Sequence, residues 1–178
     1  MLNILSKAPM YDQDSVQPYR DELIAVGFTE LFTSEDVDNA LSEKEDKTSL
    51  VFINSVCGCA AGSARPGVSL ALQHNKIPDN LYTVFAGQEK EAVETVRSKY
   101  IKNFPPSSPC IAIFNAGELV FFMPRLDIEG NSAEYIAEEL IQTFEELCTK
   151  QGPSVSPEQF AQIEYAKQCG STIPLFNK

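Results

Sequence analysis

The chain has 178 residues, 43% of them hydrophobic, and a formal net charge of −11. That length suggests one domain with a buried core, plus an appendage, and the acidity argues against nucleic acid or an anionic membrane surface as the main partner, since both select basic patches. No apolar run approaches the roughly 20 residues of a membrane helix, and the start, MLNILSKAPMYDQDSV, is too short and too soon polar for a secretory signal, so a cytoplasmic protein is expected.

Residues 17–26, QPYRDELIAV, read as an amphipathic helix with Pro18 near its start and Gly27 just past its end. Thr33 or Ser34 caps a second helix running to about Leu41, and the charged stretch 42–47 is a solvated connection. Residues 49–54, SLVFIN, form a short continuous apolar run, as expected of a strand buried on both faces. A helix from Ala60 to about Gln73 follows, kinked by Pro66. Residues 81–86, LYTVFA, read as a second buried strand, and residues 88–101 as a helix with Ala92, Val93 and Val96 on one side. After PPSSP (105–109), the runs 110–114 and 118–123 form a hairpin around Asn115-Ala116-Gly117. Asn131 or Ser132 starts a long helix ending near Cys148. In the tail, residues 156–168 read as a short helix with Ser156 as cap and Pro157 first. Phe52, Phe85, Phe114 and Phe121 are expected in the core.

From Ser49 onward the order is strand, helix, strand, helix, strand, strand, helix. The βαβ part demands a parallel pair, and the closing hairpin adds antiparallel strands. The expected fold is α/β and thioredoxin-like: a mixed central sheet with helices on both faces, spanning residues 1–150. Its core covers about 48–149, preceded by two helices, and residues 151–178 form a C-terminal extension.

The five cysteines, Cys57, Cys59, Cys110, Cys148 and Cys169, are odd in number and unevenly spaced, unlike a secreted disulfide framework. Two of them lie one glycine apart in residues 54–67, NSVCGCAAGSARPG, where a strand gives way to a helix. In a reducing compartment such a pair is catalytic, redox-sensing or metal-binding. In the thioredoxin arrangement the reactive cysteines sit at this junction. There the unpaired N–H groups and the dipole of the helix favour a thiolate, the nucleophilic form of cysteine. Cys57 sits at this junction, so its thiolate is expected to be favoured. Gly58 removes bulk between the sulfurs and allows unusual backbone angles. A Cys57–Cys59 bridge would close a small strained ring, labile and transient. Pro109, just before the third core strand, is expected to be cis and to face the active cysteine.

The segments GFTEL (27–31), INSVCGCAAG (53–62), ARP (64–66), PDN (78–80), TVFAGQ (83–88), PPSSP (105–109) and IEG (128–130) closely resemble the bacilliredoxin family over about residues 10 to 148. The resemblance implies an enzyme that removes bacillithiol, a low-molecular-weight thiol, from mixed disulfides on client proteins. Cys57 would then attack, and Cys59 would resolve or modulate. Gly58, Pro109 and Cys110 would line the substrate side, with no organic cofactor and no metal. Disulfide isomerase activity has also been proposed for the family. Cys110 stands where a serine is expected, and it offers an additional thiol for resolution. The tail with Cys169 has no counterpart in the resemblance.

Other readings stay open on the residues alone. One is a general disulfide isomerase or reductase, another a metal- or cluster-binding protein using the two close cysteines plus Cys110, and a third an inactive binding module of the same fold. Cys148 and Cys169 are read as packing or surface residues. Arg65 is read as a solvated helix charge or as a cation favouring a thiolate, with the former preferred. His74, the single histidine, is read as a helix-end residue whose cation suits the C-terminal dipole.

Overall fold

The computed structural model describes residues 8–42, 45–165 and 173–175. Its first helix, α1 (Gln13–Ile24), begins at Gln13 and not at Gln17, and Pro18 lies inside it. The start is set by Asp12, whose Oδ2 accepts from the Ser15 N–H at 2.9 Å and satisfies one of the orphan donors of the first turn. Gly27, at φ 101°, takes the left-handed position after the helix. A short strand that the sequence pattern does not announce, β1 (Thr29–Glu30), comes next. Helix α2 (Ser34–Leu41) is capped by Thr33 in a reciprocal box with Asp36.

Strand β2 (Thr48–Asn54) is buried along its whole length, as its unbroken apolar run requires. A π-helical turn, Ala60–Ala64, then leads into α3 (Arg65–Ala71), with Pro66 in the first turn of the α-helical part. The expected kink at Pro66 is thus taken up by widening the backbone just before it. Strands β3 (Lys76–Ile77) and β4 (Asn80–Phe85) follow, then α4 (Lys90–Thr95), which also ends in a π-helical turn, Val96–Tyr100. Strands β5 (Cys110–Asn115) and β6 (Glu118–Met123) form the hairpin, and Ala116 and Gly117 both have positive φ at its two-residue turn. A single helical turn, α5 (Arg125–Ile128), precedes the long α6 (Ala133–Leu147), which Ser132 caps.

The sheet order is β1-β4-β2-β5-β6. Strands β1, β4 and β2 run parallel, while β5 is antiparallel to β2 and β6 to β5. Side chains alternate between the faces. Leu50 and Phe52 of β2 join Ile111 and Ile113 of β5 under α3 and α6. Val51 and Ile53 join Cys110, Ala112 and Phe114 on the opposite face, under α2 and α4. Each fully buried Leu, Ile, Val or Phe side chain among these is worth about 1.5–3 kcal/mol over its exposed state. On the first face α3 lies so close to α6 that a Cβ at Gly67 would sit 2.7 Å from Cβ of Ile136, so only glycine fits there. Phe121 is only partly buried, because β6 is an edge strand with a neighbour on one side. This layered arrangement, a parallel βαβ unit closed by an antiparallel ββα unit, is the thioredoxin-like fold.

Beyond α6, β7 (Lys150–Gln151) pairs with β3, and α7 (Pro157–Ala161) follows with Ser156 and Gln159 in a capping box. Residues 166–168 of the expected tail helix, and Cys169, lie outside the described residues. Val155, Phe160 and Ile163 pack against the α3/α6 face. Ile173 joins Val16, Tyr19, Val56 and Phe85 in a third apolar cluster. The described part of the extension therefore folds back on the same body.

Candidate active site

Strand β2 ends at Asn54, and three residues later Cys57 receives the first N–H groups of the following helical segment. Its carbonyl oxygen accepts from Ala60 N–H at 3.1 Å and Ala61 N–H at 3.2 Å. Cys57 and Cys59 are half-buried and Gly58 between them is exposed. Among the described residues the glycines with positive φ are Gly27, Gly87, Gly117 and Gly130. Gly58 therefore has no unusual backbone angle; it sits in an ordinary helical turn. The two sulfurs lie 2.7 Å apart as free thiols.

Two groups that sequence reading missed act on Cys57. The Ser55 hydroxyl donates to Cys57 Sγ at 3.1 Å. The second is the positive charge of Arg125 on α5. Helix α5 is tied to the active-site side of the fold, because the Arg125 N–H donates to Ser107 Oγ at 2.7 Å, in the loop before Pro109. Next to α5, Asn131 O accepts from Ser63 Oγ at 2.6 Å, on the helical turn after the cysteines. Ser55 is adjacent in sequence and was legible as part of the motif; Arg125 is remote in sequence, and no local pattern marks it.

These contacts separate the two thiols. Burial pushes the Cys57 thiol up. The Cys59 S–H, the Ser55 hydroxyl, the Ala60 N–H and the Arg125 charge together outweigh that and leave it below its ordinary value. Cys59 moves the other way, up to about 11, through burial first and then through its bond to Cys57 and the negative charge there. The two thiols titrate as a pair, and their surroundings favour the charge on Cys57 and the proton on Cys59.

The other predicted residues are distributed as follows. The Ser108–Pro109 bond is cis. Because Cys110 pairs with Ile53 in the β2/β5 ladder, Pro109 stands level with Asn54 at the end of β2. The Cys110 thiol, however, belongs to the α2/α4 face, whereas Cys59 packs against the α3/α6 face. It is almost wholly buried, and burial pushes it up to about 12. Cys110 is thus adjacent to Pro109 in the chain but separated from the cysteine pair by the sheet, because consecutive strand residues point to opposite faces. Among the described residues, no group of three or more His, Cys, Asp or Glu side chains is placed to hold a metal ion, and the metal reading loses Cys110 as its third ligand. Cys148 is buried in the α3/α6 core. His74 lies just past the end of α3, where its backbone N–H donates to the Ala71 carbonyl oxygen at 3.1 Å, and its ring Nε2 meets Glu145 Oε1 of α6 at 2.6 Å.

Arg65 is the clearest correction. Its side chain is not solvated but fully buried, and it pairs with the equally buried Glu22 of α1 at 2.6 Å. The π-helical turn before it adds one residue per turn. That extra residue swings later side chains by about 100° round the axis, and Arg65 points inward beneath the cysteine loop.

A thiol poised to ionise at a strand-to-helix junction, with a second thiol in contact and holding the proton, defines a thiol–disulfide oxidoreductase of thioredoxin-like fold. The comparisons agree in class. Residues 11–148 match the family described as disulphide isomerase. A bacilliredoxin of Shouchella clausii is 50% identical over 140 residues, covering 79% of this chain and 95% of that protein. One of Cytophaga hutchinsonii is 51% identical over 138 residues, covering 78% of this chain and 100% of its own length. The chain belongs to this family, the bacilliredoxins. Among solved structures, oxidised thioredoxin O2 of Arabidopsis thaliana is similar at a TM-score of 0.46 and 16% identity, over 67% of this chain and 96% of that one. No described helix is long and apolar enough to cross a membrane.

The opposed shifts predict the order of alkylation. With limiting iodoacetamide near neutral pH, Cys57 is modified first, and Cys59 and Cys110 remain protonated and slow. The Cys57 rate rises with pH and levels off at a lower pH than the rate of an ordinary thiol, because its surroundings favour the thiolate. Peptide mapping of the alkylated protein checks the order; equal modification of Cys57 and Cys59 would contradict the assignment.

Proposed function

We propose that the protein removes bacillithiol from mixed disulfides on client proteins, in the cytoplasm. The observation that carries the reading is the asymmetry of the Cys57–Cys59 pair, in a chain about half identical to proteins named bacilliredoxin. The Cys57 thiolate attacks the bacillithiol sulfur of the mixed disulfide. A bond forms between Cys57 and that sulfur, the bond to the client sulfur breaks, and the client leaves as a thiolate that takes a proton from water. A second thiol then resolves the Cys57–bacillithiol disulfide. If it is Cys59, it attacks the Cys57 sulfur, free bacillithiol leaves and a Cys57–Cys59 disulfide remains for an external thiol to reduce. If it is another low-molecular-weight thiol, it attacks the bacillithiol sulfur, Cys57 leaves as the thiolate and the two small thiols leave as a disulfide. Cys110, buried behind the sheet, takes no part in this scheme. The electrons come from thiols, and no organic cofactor enters. Pro109, at the end of β2, offers its neighbouring backbone to an extended client segment.

The test is intact-mass analysis of a reduced Cys59→Ala variant mixed with a bacillithiol-modified protein. The expected result is a gain of one bacillithiol, mapped to Cys57, with the client restored. An unmodified enzyme beside a still-modified client would overturn the reading. The description of the matched family as disulphide isomerase favours one alternative, an enzyme acting on ordinary protein disulfides. In that case the same variant would trap a mixed disulfide with a scrambled client protein and not with the small thiol.

A further inference from the structure

Cys57 is linked to a buried ion pair that the exchange chemistry does not itself require. Glu22 Oε2 accepts from Arg65 Nε at 2.6 Å, with both side chains wholly shielded from solvent. Arg65 Nη1 donates to Asn54 Oδ1 at 3.1 Å and to the Ser55 carbonyl oxygen at 3.0 Å. Asn54 Oδ1 also accepts from the Ser55 N–H at 2.9 Å, and its Nδ2 donates to the Tyr19 carbonyl oxygen at 3.0 Å. Ser55 is thus held at its N–H, through Asn54, and at its carbonyl, by Arg65. What remains is its hydroxyl, which donates to Cys57 Sγ at 3.1 Å. The Arg65 guanidinium also lies 4.8 Å from the centre of the Tyr19 ring, so Tyr19 and Glu22, both of α1, bracket it.

We propose that Glu22 and Arg65 are positioning residues for the nucleophile: acting through Asn54 and Ser55, they lock the backbone after β2 so that the Ser55 hydroxyl is aimed at Cys57 Sγ. The proposal rests on Cys57 being the attacking thiol. Buried ion pairs are poor stabilisers, because desolvation offsets much of their attraction, and well-packed apolar side chains often hold a core as well. A pair kept in this position is explained by the geometry it imposes. Arginine serves where lysine would not, because its planar fork reaches Glu22, Asn54 and Ser55 together. Neither charge touches the sulfur. The charged groups whose fields act on the cysteines, besides the two thiols themselves, are Arg125 and Glu129, and all are retained in the variants below.

The test follows the rate of Cys57 alkylation against pH, read by peptide mapping, beside thermal unfolding. Ser55→Ala is expected to raise the midpoint by about one pH unit, the worth of one hydrogen bond to a charged acceptor, with little change in melting. Glu22→Leu with Arg65→Met removes both charges at once and leaves neither unpaired. It is expected to raise the midpoint by a similar amount, and adding Ser55→Ala to it is expected to shift nothing further, because both changes remove one interaction. If this double variant does not fold, Arg65→Lys decides: the single ammonium keeps the Glu22 pair but not the Ser55 carbonyl, and the midpoint is expected to rise. A folded double variant, or Arg65→Lys, with the wild-type midpoint would overturn the proposal, as would additive shifts. Wild-type Cys57 that resists alkylation at every pH would instead overturn the assignment of the nucleophile.

Discussion

Replacing Cys57 with serine is expected to reduce thiol–disulfide exchange to the uncatalysed rate while leaving the fold intact. The substitution is nearly isosteric at a half-buried position, so packing changes little. The chemistry changes completely. A serine hydroxyl does not ionise near neutral pH, whereas this thiol is favoured as thiolate by Cys59, Ser55, the Ala60 N–H and Arg125. An oxygen in its place also forms no disulfide with a client sulfur. The remaining thiols do not substitute. Cys59 keeps the burial that is the first cause of its raised value but lacks the Ser55 and Ala60 contacts that favour a thiolate at position 57, and Cys110, pushed up to about 12, lies behind the sheet. Turnover of a mixed-disulfide substrate by the variant, with circular dichroism to establish the fold, checks this. Retention of a substantial fraction of wild-type turnover would move the nucleophile to another cysteine.

Arg65→Ala is expected to destabilise the protein by about 3–5 kcal/mol, because it removes the cation paired with the buried Glu22 carboxylate. The cost has three parts: the lost ion pair with Glu22, two lost hydrogen bonds at Asn54 and Ser55, and a void beside Tyr19. This single substitution therefore differs in kind from removing both charges together. Urea unfolding measures it through the fall in midpoint at unchanged slope. A loss under about 1 kcal/mol would mean that water or a rotated partner satisfies Glu22 and that the pair is not sealed.

Much of this protein is legible in its amino-acid sequence. Residues 49–54, SLVFIN, carry an apolar run, Leu50 to Ile53, that is short, β-branched and aromatic and bounded by polar residues, which suits a strand covered on both faces. The capping residues Thr33, Ser132 and Ser156 announce helix starts through a local hydrogen bond that needs no distant partner. The junction between β2 and the following helix, with Cys57 and Cys59, is readable for the same reason: strand signal, cysteines and helix signal are contiguous. Where local signals competed, the reading slipped. Pro18 looked like a helix start, but Asp12 supplied the stronger cap upstream.

Tertiary structure alone decided the rest. Strand β1 has two residues and exists because β4 offers a parallel edge to pair with. Whether Cys110 joins the cysteine pair depends on which sheet face it occupies, and that follows from its register opposite Ile53, a long-range property. Arg65, a charged residue one turn into a helix, reads as solvated from its neighbours. Its burial depends on a π-helical turn rotating it inward and on Glu22 of α1 waiting there with the opposite charge. Arg125 reaches the electrostatics of Cys57 only because the chain returns past the active-site loop after the hairpin. Most of the elements, and the cysteine pair at the end of β2, are written in contiguous residues and are legible there. The folded chain decided which charges and hydroxyls surround that pair, because electrostatic influence falls off with distance in space and takes no account of separation along the chain.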